Sequence, residues 1–309
     1  MIQLRLKQLA YFAAAAESLN VSIAAAALNV SQPAVSAAIA EIERRYGTQL
    51  FLRRHARGLT LTPAGQRFLA ASRALLAHAR EVEASFVAEA DEPAGIVSAG
   101  CFVTLAPYVM PRLLASLAQA HPAIEVDMIE GNQEELQAAL RDGRIEIAVT
   151  YDYGPAEALA ASPLALLPPR AVLPARHPLA RRRRVAMAEL APLPLVLLDM
   201  PHTRDYFSGL FAAAGILPRI ARRTRSYELA RALVGRGLGY TILNAVPGTA
   251  ATYDGGAVAV RPLADPLPPI RVVAVRAAEH PPRRAVRAVL GHLEERAAGW
   301  LGAAPPRDG

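Results

Sequence analysis

The chain has 309 residues, 53% hydrophobic and 20% charged, a composition that excludes a disordered chain and leaves room for two or three domains with a substantial core. Its net charge of +7 favours an anionic partner, and its one cysteine, Cys101, excludes an internal disulfide and suits a reducing compartment. The charge is uneven: residues 1–62 hold Arg5, Lys7, Arg44, Arg45, Arg53, Arg54 and Arg57 against Glu17, Glu41 and Glu43, a net +4 in a fifth of the chain.

Arg5 and Lys7 before LAYFAAAA imitate the start of a signal peptide. Glu17 interrupts the apolar run, however, and the pattern continues as amphipathic helices. No apolar run reaches the roughly 18 residues that span a bilayer, so the expected location is the cytoplasm, with no membrane partner. Leu4, Leu6, Leu9, Phe12 and Ala13 have helical spacing, as do Ile23, Ala24, Ala27 and Leu28. These two helices meet at Asn29-Val30. Ser31-Gln32-Pro33 then opens a third, with Ser31 as N-cap and Pro33 where no backbone donor is needed. Val35, Ile39 and Ile42 line its inner side, and Tyr46-Gly47 ends it. Leu50-Phe51 and Leu59-Thr60-Leu61 are strand-like pieces around a basic turn that holds Arg53, Arg54, His55 and Arg57. This is a helix-turn-helix with a wing, built to lay its third helix in a DNA major groove.

Thr62-Pro63 opens a long helix that runs to about Ala90. Phe68, Ser72, Leu75, Ala79, Val82 and Phe86 recur at spacings of four and three, the seam of a coiled coil. That seam predicts dimerisation through Phe68, Leu75, Val82 and Phe86; packing on its own domain is the alternative. Asp91 to Gly95 forms a hinge. Beyond it strands and helices alternate as βαβαβ: IVSAGCF, a helix from Leu105 to Ala120, AIEVDMIE, a helix from Gln133 to Arg141, and a buried strand from Ile145 to Thr150. That order implies a parallel sheet. LALLPPRAVLP marks a change of subdomain. A second α/β unit follows, with a return strand at Ile270 to Arg276 and a final helix from Arg283 to Leu301.

Ala24-Ala25, Leu28, Ser31-Gln32-Pro33-Ala34-Val35-Ser36, Ile39, Glu43, Gly47, Leu50-Phe51, Arg53 and Leu61-Thr62-Pro63-Ala64-Gly65 together resemble the LysR-type transcriptional regulators. HPAIEVDMIEGNQEELQAALRDGRIEIAV looks like the first half of that family's effector-binding domain. The resemblance covers nearly the whole chain. It implies an α/β protein with a mostly α N-terminal winged helix-turn-helix (1–62), a linker and dimerisation helix (63–90), and a C-terminal effector-binding domain (94–305). That last domain resembles periplasmic binding proteins. It has two Rossmann-like subdomains, about 94–165 with 266–305 and about 166–265, and an effector in the cleft between them. The implied partners are double-stranded promoter DNA, a small-molecule effector and further copies of the chain, as a dimer and by family analogy a tetramer.

For DNA, the candidates are Ser31, Gln32, Pro33, Ser36, Arg53, Arg54 and Arg57. Gln32 can offer paired contacts to adenine, and Ser36 lies one turn on. Ser31 is as readily a cap alone, and Arg53 a structural residue of the LF-x-R pattern. Ala37, Ala38 and Ala40 stand where the family often carries polar residues, and Ile23 departs likewise, so specificity is expected to rest more on DNA shape and the wing. For the effector, the candidates follow strand ends: Thr104, Asn132, Gln133, Tyr151, His202, Thr203 and Arg204. Thr104, Gln133 and Thr203 can equally be helix caps, and Tyr227 and Tyr240 can line the cleft or the core. Arg204 and the helix N-termini suggest an organic anion; a non-carboxylate, or no diffusible ligand, is the alternative.

Arg181 to Arg184 reads as solvated surface, and Cys101 as a buried structural thiol. The histidines lack metal-ligand spacing, so neither metal nor cofactor is expected. GRGLGY precedes a strand, not a phosphate-binding helix. With no catalytic constellation, an enzyme is disfavoured. The rival from another class is a small-molecule binding module without sequence-specific DNA binding, against which the basic wing and Gln32-Pro33 argue.

Overall fold

The computed structural model describes residues 4–54, 58–85, 92–154, 159–278 and 281–303. Helices α1 (Leu6–Ser18), α2 (Val21–Ala27) and α3 (Gln32–Tyr46) come first, then the hairpin β1 (Phe51–Arg54) and β2 (Gly58–Leu61). Asn20 starts α2 by accepting the N–H groups of Ser22 and Ile23 at 2.8 and 3.2 Å. The chain turns through Asn29 at φ +53°, a left-handed conformation that Asn tolerates. Helices α2 and α3 lie at 114° to each other. Ser31 occupies the N-cap position of α3 but makes no capping hydrogen bond. The Ala34 N–H, which a capping hydroxyl would receive, donates to the Ser31 carbonyl at 3.0 Å. Phe12 is fully buried at the centre, 5.2 Å from the ring of Phe51 and 4.9 Å from that of Phe68. Glu43 ties the hairpin to α3 by accepting the N–H groups of Leu50 and Phe51 at 2.7 and 3.1 Å.

Helix α4 (Pro63–Ser85) follows the hairpin directly. Thr62 caps it as its sequence predicts, its Oγ1 accepting the Gly65 N–H at 2.9 Å and donating to the Gln49 carbonyl at 2.8 Å. A Cβ on Gly65 would lie 2.2 Å from the Leu50 carbonyl oxygen, so only glycine fits. The continuous seam read from the heptad spacing is corrected here. Phe68 packs edge-on against Phe12, and Ser72 is buried with its hydroxyl on the Phe68 carbonyl. The first half of the seam is therefore core of its own domain, because the same spacing serves either purpose. Leu75 and Val82 remain outward, 50% and 56% exposed, and Phe86 lies outside the described residues.

The α/β part begins with β3 (Gly95–Phe102), α5 (Ala106–Ala120), β4 (Ile124–Gly131), α6 (Gln133–Arg141) and β5 (Ile147–Tyr151). Strand β3 pairs in parallel with both β4 and β5, as the alternation implies. After β6 (Leu159–Leu167) the chain builds a second lobe from β7 (Arg170–Pro174), α7 (Met187–Leu190), β8 (Pro194–Leu198), α8 (Thr203–Ala213), β9 (Arg219–Thr224), α9 (Tyr227–Gly235), β10 (Thr241–Leu243) and β11 (Val258–Pro262). It returns through β12 (Ile270–Ala277) and ends on α10 (Arg284–Trp300).

The first sheet has the order β4-β3-β5-β12-β6, and β12 runs antiparallel to both neighbours. The sheet is therefore mixed, not parallel throughout. In the second lobe β10-β7-β11 is antiparallel and β8-β9 parallel, with a bridge between Leu195 and Tyr240 joining them. One hydrophobic core runs through both lobes, while the N-terminal domain has its own. Among the described residues no single helix is long and apolar enough to cross a membrane.

Candidate functional site

The outward face of α3 carries Gln32, Pro33, Ala37 and Ala40, all exposed, with Ser36 half-buried beside them. Val35, Ile39 and Ile42 face the core. Ser31 is exposed just before the helix, and on α2 Ile23 is 58% exposed. The face is built mostly of small side chains. Such a surface can enter a groove without obstruction but offers few hydrogen-bonding groups. Arg53 and Arg54 are placed on β1 opposite Leu59 and Gly58. Their side chains, and Arg57 altogether, lie outside the described residues.

The second site lies between the lobes, at the C-terminal ends of β3, β5, β8 and β10. Thr104, Tyr151 and Tyr153 face it from one lobe, and Thr203, Tyr227 and Asn244 from the other. The hydroxyls pair with one another: Thr104 Oγ1 with the Tyr151 phenol at 3.1 Å, Tyr153 with Thr203 Oγ1 at 3.1 Å, and Tyr108 with Tyr227 at 3.1 Å. The last two pairs cross between the lobes. Asn244 donates to the Tyr206 phenol at 2.8 Å and to the Leu167 carbonyl at 3.0 Å. What remains open is about 20 Å³, room for about one water molecule. No lining residue is ionised. Burial pushes the phenols of Tyr151, Tyr153 and Tyr227 well up, and that of Tyr206 up to about 12.

Thr104 and Thr203 are therefore cleft residues whose hydroxyls bond tyrosines instead of capping helices. Asn132 is the cap of α6: its Oδ1 accepts the N–H groups of Glu134 and Glu135, and Glu135 returns a bond to the Asn132 N–H. Gln133 is buried, with its Oε1 on the Thr150 hydroxyl of β5. Neither lines the cavity. His202 sits at φ +62°, uncommon for a residue with a Cβ, and its ring stacks 6.1 Å from that of Tyr153.

Arg204 stands on the rim, in an open depression of about 630 Å³ that also includes Asp199, His202 and Arg223. Its Nε donates to Asp199 at 2.5 Å, and Arg223 holds the other carboxylate oxygen at 3.0 Å. Partial burial opposes ionisation of Asp199, but the two arginines outweigh it and hold the carboxyl below its ordinary range. The sequence left Tyr227 and Tyr240 open. Tyr227 faces the cleft, whereas Tyr240 is fully buried. Tyr108, Tyr206 and Asn244 were not anticipated, since no local motif marks them.

Residues 6–66 match the family model described as bacterial regulatory helix-turn-helix protein, lysR family, and residues 90–298 match the LysR substrate binding domain. The chain is 36% identical over 243 residues to a probable hydrogen peroxide-inducible genes activator of Mycobacterium avium, covering 76% of this chain and 77% of that protein. Among solved structures it is similar to HinK, a LysR family transcriptional regulator from Pseudomonas aeruginosa, with 33% identity and a TM-score of 0.64 over 94% of this chain and 98% of that one. A full-length OxyR variant from the same organism shares the fold at 24% identity, with a TM-score of 0.72 over 94% and 97% of the two chains.

Proposed function

The chain belongs to the LysR family of DNA-binding transcriptional regulators and is not an enzyme; from that premise we propose that it is switched by a small molecule entering the tyrosine-lined cleft. In this reading residues 1–62 bind promoter DNA in the cytoplasm. Gln32 and Ser36 approach base edges, Ser31 and Pro33 set the helix start, and Arg53, Arg54 and Arg57 meet phosphates or the minor groove. Residues 63–90 form the linker, and residues 94–305 sense the effector. Copies of the chain assemble through the exposed Leu75 and Val82 side of α4, as a dimer and by analogy a tetramer.

The observation that carries the sensing role is the closed cleft itself. Tyr153–Thr203 and Tyr108–Tyr227 hold the lobes together by hydrogen bonds that any entering ligand must replace. A ligand then shifts the population of lobe arrangements by its differential affinity for them. Thr104, Tyr151 and Thr203 are its contacts, and His202 and Arg204 guard the rim. In this reading an organic anion takes Arg204 or Arg223 from Asp199 at that rim, the cleft lining itself being uncharged.

The Mycobacterium avium relative is named a probable hydrogen peroxide-inducible genes activator. Cys101 is wholly buried in β3, burial raises its thiol pKa, and the chain has no second cysteine. An intramolecular thiol–disulfide switch is thereby absent, which supports ligand binding over cysteine oxidation. The test is footprinting of the full-length protein on its own upstream duplex, with a thermal-shift panel of carboxylic acids, amino acids and neutral aromatic metabolites. Footprints no stronger than on competitor DNA would defeat the DNA assignment. Stabilisation by a compound that survives Thr104→Ala and Thr203→Ala would defeat the cleft assignment.

A further inference from the structure

Arg73 is the residue through which, we propose, the effector lobes and the DNA-binding domain of one chain are mechanically joined. The inference rests on the two-site reading above and names the joint between the sites. Arg73 lies on α4, past the part of that helix absorbed into the N-terminal core, and its side chain is 17% exposed. Nε and Nη2 donate to Glu17 Oε1, in the last turn of α1, at 3.3 and 3.1 Å. Nη1 donates at 2.7 Å to the carbonyl of Asp142, just past the end of α6. One guanidinium thus spans two domains. Its rigid fork of donors serves both directions at once, which the single ammonium of lysine does not reproduce.

The carbonyl that Arg73 takes is at the negative end of a helix, where a cation is favoured. Contact there is close. Gly143, at φ +62°, approaches α4 so nearly that a Cβ would lie 3.2 Å from the Ala70 backbone. Further along α4, Glu81 Oε1 accepts the Ala285 N–H at the start of α10 at 2.9 Å. Alpha-helix α4 is therefore fastened to the first lobe at two places about two turns apart.

Helix α6 links this joint to the cleft. Its C-terminal side meets Arg73. At its other end Gln133 accepts from Thr150, the residue before Tyr151 of the cleft. The helix is short and packed on β3, β4 and β5, so a shift at the cleft end reaches Asp142 as a shift of the whole element. The Arg73–Glu17 pair, with Glu17 57% exposed, contributes little alone. The specificity of the joint comes from adding the Asp142 carbonyl to it. Arg73 is a positioning residue, touching neither DNA nor effector.

Coupling between sites is reciprocal, so it can be read from the DNA side before any effector is known. The experiment uses the full-length protein and a duplex that it selects from a random pool. Hydrogen exchange is followed over α6 and over Tyr151 to Tyr153, with and without that duplex. In the wild type, DNA should change exchange there by about five-fold, the lower end of ordinary coupling factors. Arg73→Met should abolish the change while exchange in the β3 core stays native. Glu17→Ala, at an exposed position, removes one arm and should reduce the change. No effect of DNA on α6 in the wild type, or an undiminished effect in both variants, would overturn the proposal. Failure to select any duplex would instead remove the DNA-binding reading, and the coupling with it.

Discussion

The face of α3 and the cleft between the lobes are opposite kinds of site. The first is made by one helix whose inner residues fill a core and whose outer residues are left bare. The second is made by side chains from five separate stretches of chain, each already hydrogen-bonded to another. The bare face waits for a partner that brings its own structure, a regular groove. The cleft supplies its own partners, so under the proposed function a ligand has to exchange them for its own. A binding surface for a large, regular partner can be economical in side chains, whereas one for a small molecule cannot.

The largest expected effect tests whether the two sites stand on separate foundations. Phe12→Ala removes a fully buried ring and its contacts with Phe51 and Phe68, a loss of about 3–5 kcal/mol. Denaturant unfolding should show the N-terminal domain melting early while the lobes keep their transition; a single shifted transition would break the comparison. Next is Gln32→Ala, expected to cost about 1–3 kcal/mol of discrimination at one base pair. Competition binding with single-base operator variants reads it, and equal losses at every position would mean that α3 reads shape alone. Neutralising Arg54 and Arg57 should lower the salt slope of binding by about one per lost phosphate contact; an unchanged slope in a titration against salt removes the wing from the interface.

Smaller effects belong to the cleft. Tyr153→Phe deletes one cross-lobe bond and leaves the buried Thr203 hydroxyl without that partner, a cost of about 1 kcal/mol. Lobe stability should fall while DNA affinity without ligand changes little; a change in the reverse sense would mean the bond is strained. The pH dependence is the mildest test. Tyr206 ionises at about 12 when folded and near 10 when unfolded. The unfolded chain therefore releases its proton first, and stability declines as pH rises from about 10 towards 12. An absorbance titration in which every phenol ionises near 10 would show the cleft to be wet.

The same contrast explains what was legible in the amino-acid order. The helix-turn-helix, the wing, the Thr62 cap and the βαβαβ run are set by neighbours within a few residues, and they were readable. Ser31 stands at the N-cap as the motif predicts, while the Ala34 N–H goes to its carbonyl and not to its hydroxyl. Phe68 misled because a three-four spacing describes a dimer seam and a core-facing stripe equally well. The cleft was half legible: strand ends pointed to Thr104, Tyr151 and Thr203. Asn132 as the cap of α6 is itself local, completed by Glu135 three residues on, whereas Gln133 meeting Thr150 depends on a strand 17 positions away. Tyr108 meeting Tyr227 is a contact across 119 positions, beyond any local pattern.

One joint has a consequence of its own. Because Gly65 leaves no room between the first turn of α4 and the Leu50 carbonyl, and Thr62 clasps both sides, the linker helix and the wing meet without backlash. A gear with play would absorb a small rotation of its shaft before anything turned. Here Gly65 and Thr62 leave no such play between α4 and the hairpin.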